Sequence, residues 1–157
     1  MIVRVSNARL VKTNVGSPTK GKHMSDTDVL ANKALVLTAM KAVFVNRDLS
    51  AFDKYWAEDY IQHNHYIPPF REGLRELAAN VPADFKYEAG MIIGEGDLVM
   101  IHGRYSAHGP FSKPVIAVDI FRIEDGLLAE HWDVLEEEIS AAQTASGNEM
   151  FTNPQAS

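Results

Sequence analysis

Apolar residues recur at Leu30, Ala34, Leu37, Met40 and Phe44, the spacing of one helical face, and Leu35, Val36 and Val43 widen the stripe. The pattern predicts a helix from Ser25, with Ser25 and Asp28 as a weak capping signal. A helix apolar on most of its sides belongs against a sheet. The stretch NRDLS breaks the pattern. SAFDKYWAEDY then reads as a second, shorter helix, and REGLRELAANVP as a third that stops around Pro82.

From Phe85 the period changes from helical to alternating. Phe85 to Ile93, Leu98 to Ala107, Val115 to Ile123 and Leu127 to Leu135 read as strands, separated by the turn-forming sequences GEGD, HGPFSKP and EDG. Helices followed by an antiparallel meander predict an α+β domain, not a parallel βαβ sheet. There is no internal repeat and no linker, so a single domain is expected over residues 25–151. Residues 1–24 are expected to lie outside the fold and to do no chemistry, and residues 152–157 to be a polar tail. The segment after Glu138 is polar, although Met150 and Phe151 have the apolar character to dock.

Composition narrows the function. A chain of 157 residues, 46% hydrophobic and 23% charged, can bury a core that needs no staples. It has no cysteine, which excludes disulfides, thiolate nucleophiles and cysteine-ligated zinc. No apolar run is long enough to span a membrane, so a soluble, cytoplasmic protein is expected. Residues 1–24 hold Arg4, Arg9, Lys12, Lys20 and Lys22 and no acid, so the rest is more acidic than the overall net charge of −6. A body of that sign repels phosphate backbones, and nucleic acid is not an expected partner.

The chemistry concentrates in VDIFRIEDGLLAEHWDV, Val118 to Val134, which reads as a hairpin. A two-residue Asp125-Gly126 loop places Asp119 opposite Trp132, with Asp119 and His131 on opposite faces. A three-residue Glu124-Asp125-Gly126 loop pairs Asp119 with His131 and brings Asp133 to the same face, beside Ala117, Phe121 and Leu135. A carboxylate in an apolar wall is costly unless it is paired. Grouping the three polar residues relieves each of them, so the three-residue loop is the expected register.

Three segments, DYIQHN, VDIFRIEDGLLAEHWDV and SGNEMF, resemble the SnoaL-like branch of the nuclear-transport-factor-2-like superfamily. The similarity runs from about Ser25 to Phe151, and DIFR…EHWD is its most specific part. The family usually has proline after QHN, where this chain has His65. The resemblance implies a conical, strongly curved, mostly antiparallel sheet packed on N-terminal helices, a cystatin-like α+β barrel with a pocket opening into the cone. It also implies a homodimer. Members include polyketide cyclases that perform intramolecular aldol condensation with an aspartate as acid and base, and Asp119 matches that aspartate by motif. Relatives of the same shape isomerise, dehydrate or open epoxides, and some only bind, so the fold limits chemistry less than architecture.

Asp119 is the expected general base, because a carboxylate among Ala117 and Phe121 is suited to taking a proton from carbon beside a carbonyl. The bland alternative is a buried acid paired with His131 or Arg104. His131 is expected to orient Asp119, share its proton or protonate the developing alkoxide, or else to tie two strands together; Asp133 is expected to hold His131 in one tautomer or to be a solvated acid at the mouth of the sheet. His63 and Asn64, in YIQHNHY, are expected to bind a carbonyl oxygen or position a water. His102 and Arg104 share one strand face; both are expected to bind substrate in a polar cavity, with His102 as the alternative to Asn64 at the oxyanion, and solvent on an outer face is the other explanation. Phe44, Trp56, Phe121 and Leu135 are candidate pocket walls. His63, His65, His102, His131 and an aspartate have the donor types of a metal site but no recognised ligand spacing, so neither metal nor cofactor is expected.

The leading expectation is thus a cofactor-independent enzyme acting on a hydrophobic or aromatic carbonyl compound by aldol-type cyclisation, condensation or isomerisation, as a lyase or isomerase. The alternatives are a small-molecule-binding domain without turnover and an epoxide hydrolase. The epoxide hydrolases of the superfamily set an arginine between two acids; here Ala117 holds that place, so Arg104 would have to supply it. Trp132, Ile116, Val118, Ile120 and Val134 form the opposite face, expected to be a dimer surface.

Overall fold

A computed structural model of the chain describes residues 26–107, 111 and 113–153. The basic leader, His108 and the last four residues lie outside the described residues. In chain order the elements are α1 (Asp26–Phe44), α2 (Ala51–Tyr55), β1 (Trp56–Gln62), α3 (Phe70–Ala79), β2 (Lys86–Glu95), β3 (Leu98–Ser106), β4 (Val115–Glu124) and β5 (Leu127–Glu137), followed by a short 3-10 turn at Ala141–Gln143. The α+β class and the order of helices before the meander are as expected. The five strands form one curved, open sheet in the order β1-β5-β4-β3-β2. Three neighbouring pairs are antiparallel, and β1 runs parallel to β5 at one edge. No helix among the described residues is long and apolar enough to cross a membrane.

Strand alternation sorts the side chains. Val99, Ile101, Gly103 and Tyr105 of β3 and Val115, Ala117, Asp119, Phe121 and Ile123 of β4 are all buried. They form the inner face, which packs on Val36, Ala39, Met40, Val43 and Phe44 of α1. On the outer face Ile93, Leu98, Met100 and Val134 are exposed. The chain end returns to this face as Met150 and Phe151 suggested. Phe151 lies 4.8 Å from the Arg104 guanidinium and 5.5 Å from the His102 ring, and Ile139 N–H donates to Met150 Sδ.

SAFDKYWAEDY is not one helix. It makes a single turn, α2, and then extends: Trp56 sits at φ −105° and ψ 139° and opens β1. Phe52, Trp56 and Tyr60 are four apart and fully buried, which mimics a helical stripe. An edge strand with a register irregularity between Trp56 and Ile61 produces the same spacing.

The β4–β5 hairpin reaches the expected facing by an unexpected route. Asp125 (φ 51°) and Gly126 (φ 78°) are both left-handed and Glu124 pairs with Leu127, so the loop has two residues, not three. That register alone would put Asp119 and His131 on opposite faces. A bulge at Ala129 intervenes: Ile123 pairs with Leu128, but Arg122 pairs with Glu130. Beyond the bulge Phe121 faces His131 and Asp119 faces Asp133. The direct pairing of Asp119 with His131 is therefore wrong, and the shared face is right.

Candidate active site

Inside the curve lies a cavity of about 40 Å³, with room for about two or three water molecules. Met40 and Phe44 of α1, Leu74 and Leu77 of α3, Ile67, Phe121 and Leu135 form its apolar walls. Tyr60, Asn64, Tyr105, Asp119, His131 and Asp133 supply its polar groups. A second chamber of about 170 Å³, lined by Asn64, His65, Tyr66, Phe111, Asp133 and Leu135, adjoins it. Asn64, Asp133 and Leu135 belong to both chambers and stand between them.

Asp119 and His131 are the buried pair at the centre, with side chains 4% and 6% exposed. Asp119 Oδ1 lies 3.2 Å from His131 Nε2, and the Tyr105 hydroxyl donates to Asp119 Oδ2 at 2.8 Å. Burial, then the charge of Asp119, pushes the Tyr105 pKa well up, so this phenol stays a donor. The protonation of His131 follows from its other nitrogen. Nδ1 is 3.0 Å from Gln62 Oε1, and the same oxygen accepts the Asn64 backbone N–H at 2.8 Å. A backbone N–H can only donate, so it fixes the amide orientation of Gln62, and Nδ1 must carry hydrogen.

The contact between Asp119 and Nε2 then needs one shared proton. Two facing lone pairs would repel, so either the imidazole is charged beside a carboxylate or a carboxylic acid donates to a neutral ring. Asp133 is held separately. Tyr66 N–H donates to Asn64 Oδ1 at 2.8 Å, which fixes that amide in turn, and Asn64 Nδ2 donates to Asp133 Oδ2 at 2.5 Å. One donor atom from each of Asp119, His131 and Asp133 lies within 4.8 Å of the others. These three have the atoms to hold a divalent cation, but a cation on Nε2 would displace the shared proton.

Several predicted site residues are elsewhere. His63 is stacked on Trp132 at 5.0 Å and bonded to Glu130 at 2.9 Å, and it does not line the cavity. His102 and Arg104 have the parity opposite to the buried residues of β3 and face outward. Arg104 grips Glu88 at 2.8 and 2.9 Å and Glu138 at 3.3 Å, which holds the Glu88 carboxyl below its usual pKa. Trp56 is buried behind the wall, against Phe52. Of the predicted set, Asn64, Asp119, Phe121, His131 and Asp133 meet at the cavity. Of the four histidines with metal-donor character, His131 alone lines the cavity.

Three residues at the site were not singled out: Tyr60, Gln62 and Tyr105. The signal for the first two was available. Reading Tyr60 to Asn64 as a strand puts Tyr60, Gln62 and Asn64 on one side and Ile61 and His63 on the other.

The comparisons agree with this fold. TsrD from Streptomyces laurentii is 26% identical over 66% of this chain and 90% of its own, with a TM-score of 0.56. A candidate polyketide cyclase from Bacillus cereus ATCC 10987 is 18% identical, covering 72% and 79%, with a TM-score of 0.60. An LEH-like epoxide hydrolase from M. tuberculosis is 16% identical, covering 69% and 85%, with a TM-score of 0.56. The last two likenesses are of fold. A search of curated proteins finds no match. The family model described as "SnoaL-like domain" matches residues 37–131, from the middle of α1 to His131 itself. On that match over more than half its length, the chain belongs to the SnoaL-like domain family.

Proposed function

We propose that the protein is a cofactor-independent enzyme in which the Asp119 carboxylate removes a proton from carbon beside a carbonyl group. The C–H electron pair passes into an enolate. That enolate attacks a second carbonyl in an aldol-type cyclisation or condensation, or is reprotonated at another carbon in an isomerisation. The proton on Asp119 is then returned to the new alkoxide or carbon.

The single observation that carries the reading is the buried contact of Asp119 Oδ1 with His131 Nε2, 3.2 Å, at the wall of a mainly apolar cavity. With the proton on His131, Asp119 is a ready base. After it takes a second proton, the remaining imidazolium charge lies beside the enolate and offsets it. The cavity is too small for a whole substrate, so an apolar or aromatic molecule lies across both chambers, its reacting end innermost. Tyr66 and Phe111, edge to face at 6.0 Å, flank the outer chamber. Epoxide opening is less well supported, because Arg104 is committed to Glu88 and Glu138 on the outer face. The exposed outer-face residues, led by Val134 at 72%, support a homodimer, which sedimentation of Val134→Lys would break.

The test is deuterium uptake from D₂O into a panel of ketones, β-keto esters and aromatic polyketide fragments, with the wild type and Asp119→Asn. Uptake by the wild type and none by the variant is the expected result. Compounds that bind without exchanging would instead make the protein a binding domain.

A further inference from the structure

Tyr60 takes no part in the network around Asp119, although it lines the same cavity. Its side chain is wholly buried, and its hydroxyl has no hydrogen-bond partner among the described residues. Buried polar atoms are nearly always paired, and a phenylalanine here would remove the unpaired group at no loss of packing. The Trp56 indole N–H, a donor only, acts to lower the pKa of this phenol but makes no hydrogen bond of normal geometry to it. The hydroxyl hydrogen of Tyr60 is left for the cavity.

Two further facts suit that hydrogen to a substrate. Burial, and then the charges of Asp119 and Asp133, push the Tyr60 pKa well up, so the phenol stays protonated. Tyr60 also lines the same cavity as both carboxylates. A carbonyl oxygen gains negative charge as the adjacent C–H proton leaves, and a donor already aimed at it needs no reorganisation.

We propose that the Tyr60 hydroxyl is the donor that holds the substrate oxygen, and that with the Asp119–His131 pair it forms a subsite for a ketone or β-dicarbonyl oxygen that becomes an enolate. The assignment rests on the proton-abstraction reading for its chemistry, but its binding can be measured alone. It replaces His63, which the fold turns away, as the group that polarises the carbonyl.

The experiment uses aryl ketones labelled with ¹³C at the carbonyl carbon, acetophenone first, titrated into the full-length protein and followed by NMR. Binding to the wild type should move the carbonyl resonance downfield. Tyr60→Phe should lose that displacement and bind about tenfold more weakly, with a thermal midpoint unchanged or raised. Tyr87→Phe is the control: its hydroxyl is also buried without a described partner, but it does not line the cavity, so it should bind as the wild type does. Unchanged affinity and shift in Tyr60→Phe would overturn the subsite, as would a wild type that binds none of the ketones or binds them with no downfield displacement. Deuterium exchange on the same ketones separates the two ideas. A Tyr60-dependent shift without exchange keeps the subsite and rejects the base; exchange that ignores Tyr60→Phe does the reverse.

Discussion

Asp119 Oδ1 lies 3.2 Å from His131 Nε2, and the far side of that imidazole is 3.0 Å from Gln62 Oε1. Gln62 therefore touches His131 on the side away from Asp119. It keeps hydrogen on Nδ1 and presents Nε2 to the carboxylate, the part a carboxylate or carbonyl often plays behind a working histidine.

Removing that acceptor should cost activity without touching the reacting atoms. Gln62→Leu is expected to slow deuterium exchange by about 10- to 100-fold and to displace its pH profile, because either tautomer of His131 becomes available. Gln62→Glu keeps an acceptor for Nδ1 and for the Asn64 N–H, and should retain most of the rate. An exchange rate in Gln62→Leu equal to that of the wild type would remove Gln62 from the mechanism.

Two of the buried tyrosines, Tyr105 and Tyr87, should separate by stability. Tyr105 donates to Asp119 Oδ2, so Tyr105→Phe strands a buried acceptor and should lower unfolding free energy by about 1–3 kcal/mol. Tyr87 makes no such bond, and Tyr87→Phe should leave the thermal midpoint unchanged or raise it. Equal losses in the two variants would mean that ring packing, not the bond to Asp119, sets their stability.

Those tyrosines also fix the alkaline limit. Burial raises the pKa of Tyr60, Tyr87 and Tyr105 above the ordinary 10.0. Above pH 10 the unfolded chain releases these phenol protons while the folded chain keeps them. Stability is thus full below about pH 10 and falls as pH rises beyond it, by about 1.4 kcal/mol per pH unit for each such tyrosine. Denaturation curves between pH 9 and 12 should show this slope, and it should be shallower by one tyrosine in Tyr87→Phe. A pH-independent midpoint over that range would contradict the burial of these phenols.

The fold was largely legible because its signals are local. Alternation in β3 and β4, and the Gly-containing turns, announce a meander whatever lies on the other side of the sheet. The shared face of the three polar residues was legible from cost alone: Asp119, His131 and Asp133 are too polar to be scattered through apolar walls. The device that unites them was not, since nothing about Ala129 distinguishes a bulge from ordinary alternation. His102 and Arg104 were expected at the substrate, although Val99, Ile101 and Tyr105 mark the opposite parity as the buried one. Tyr60 and Gln62 were hidden by the helical spacing of Phe52, Trp56 and Tyr60, which absorbed the start of β1 into a helix.

The roof of the cavity depends on one close approach. A Cβ built on Gly73 of α3 would come within 2.1 Å of the Pro68 carbonyl oxygen and 2.6 Å of its carbon. These are backbone atoms, so neither can rotate aside, and Gly73→Ala must push α3 from the segment 64–69. That segment carries Asn64 and Ile67, and α3 carries Leu74 and Leu77, all of them cavity residues. The substitution should lower stability by about 3 kcal/mol and weaken ketone binding as well. Gly96→Ala is the contrasting case: Gly96 has φ +60° but nothing within 4 Å of its Cβ position. It should cost only about 1 kcal/mol of left-handed strain and leave binding intact. Urea denaturation of both variants checks the order. If Gly73→Ala proves the milder change, α3 is not pressed against Pro68 in solution, and the small cavity is more open than its walls suggest.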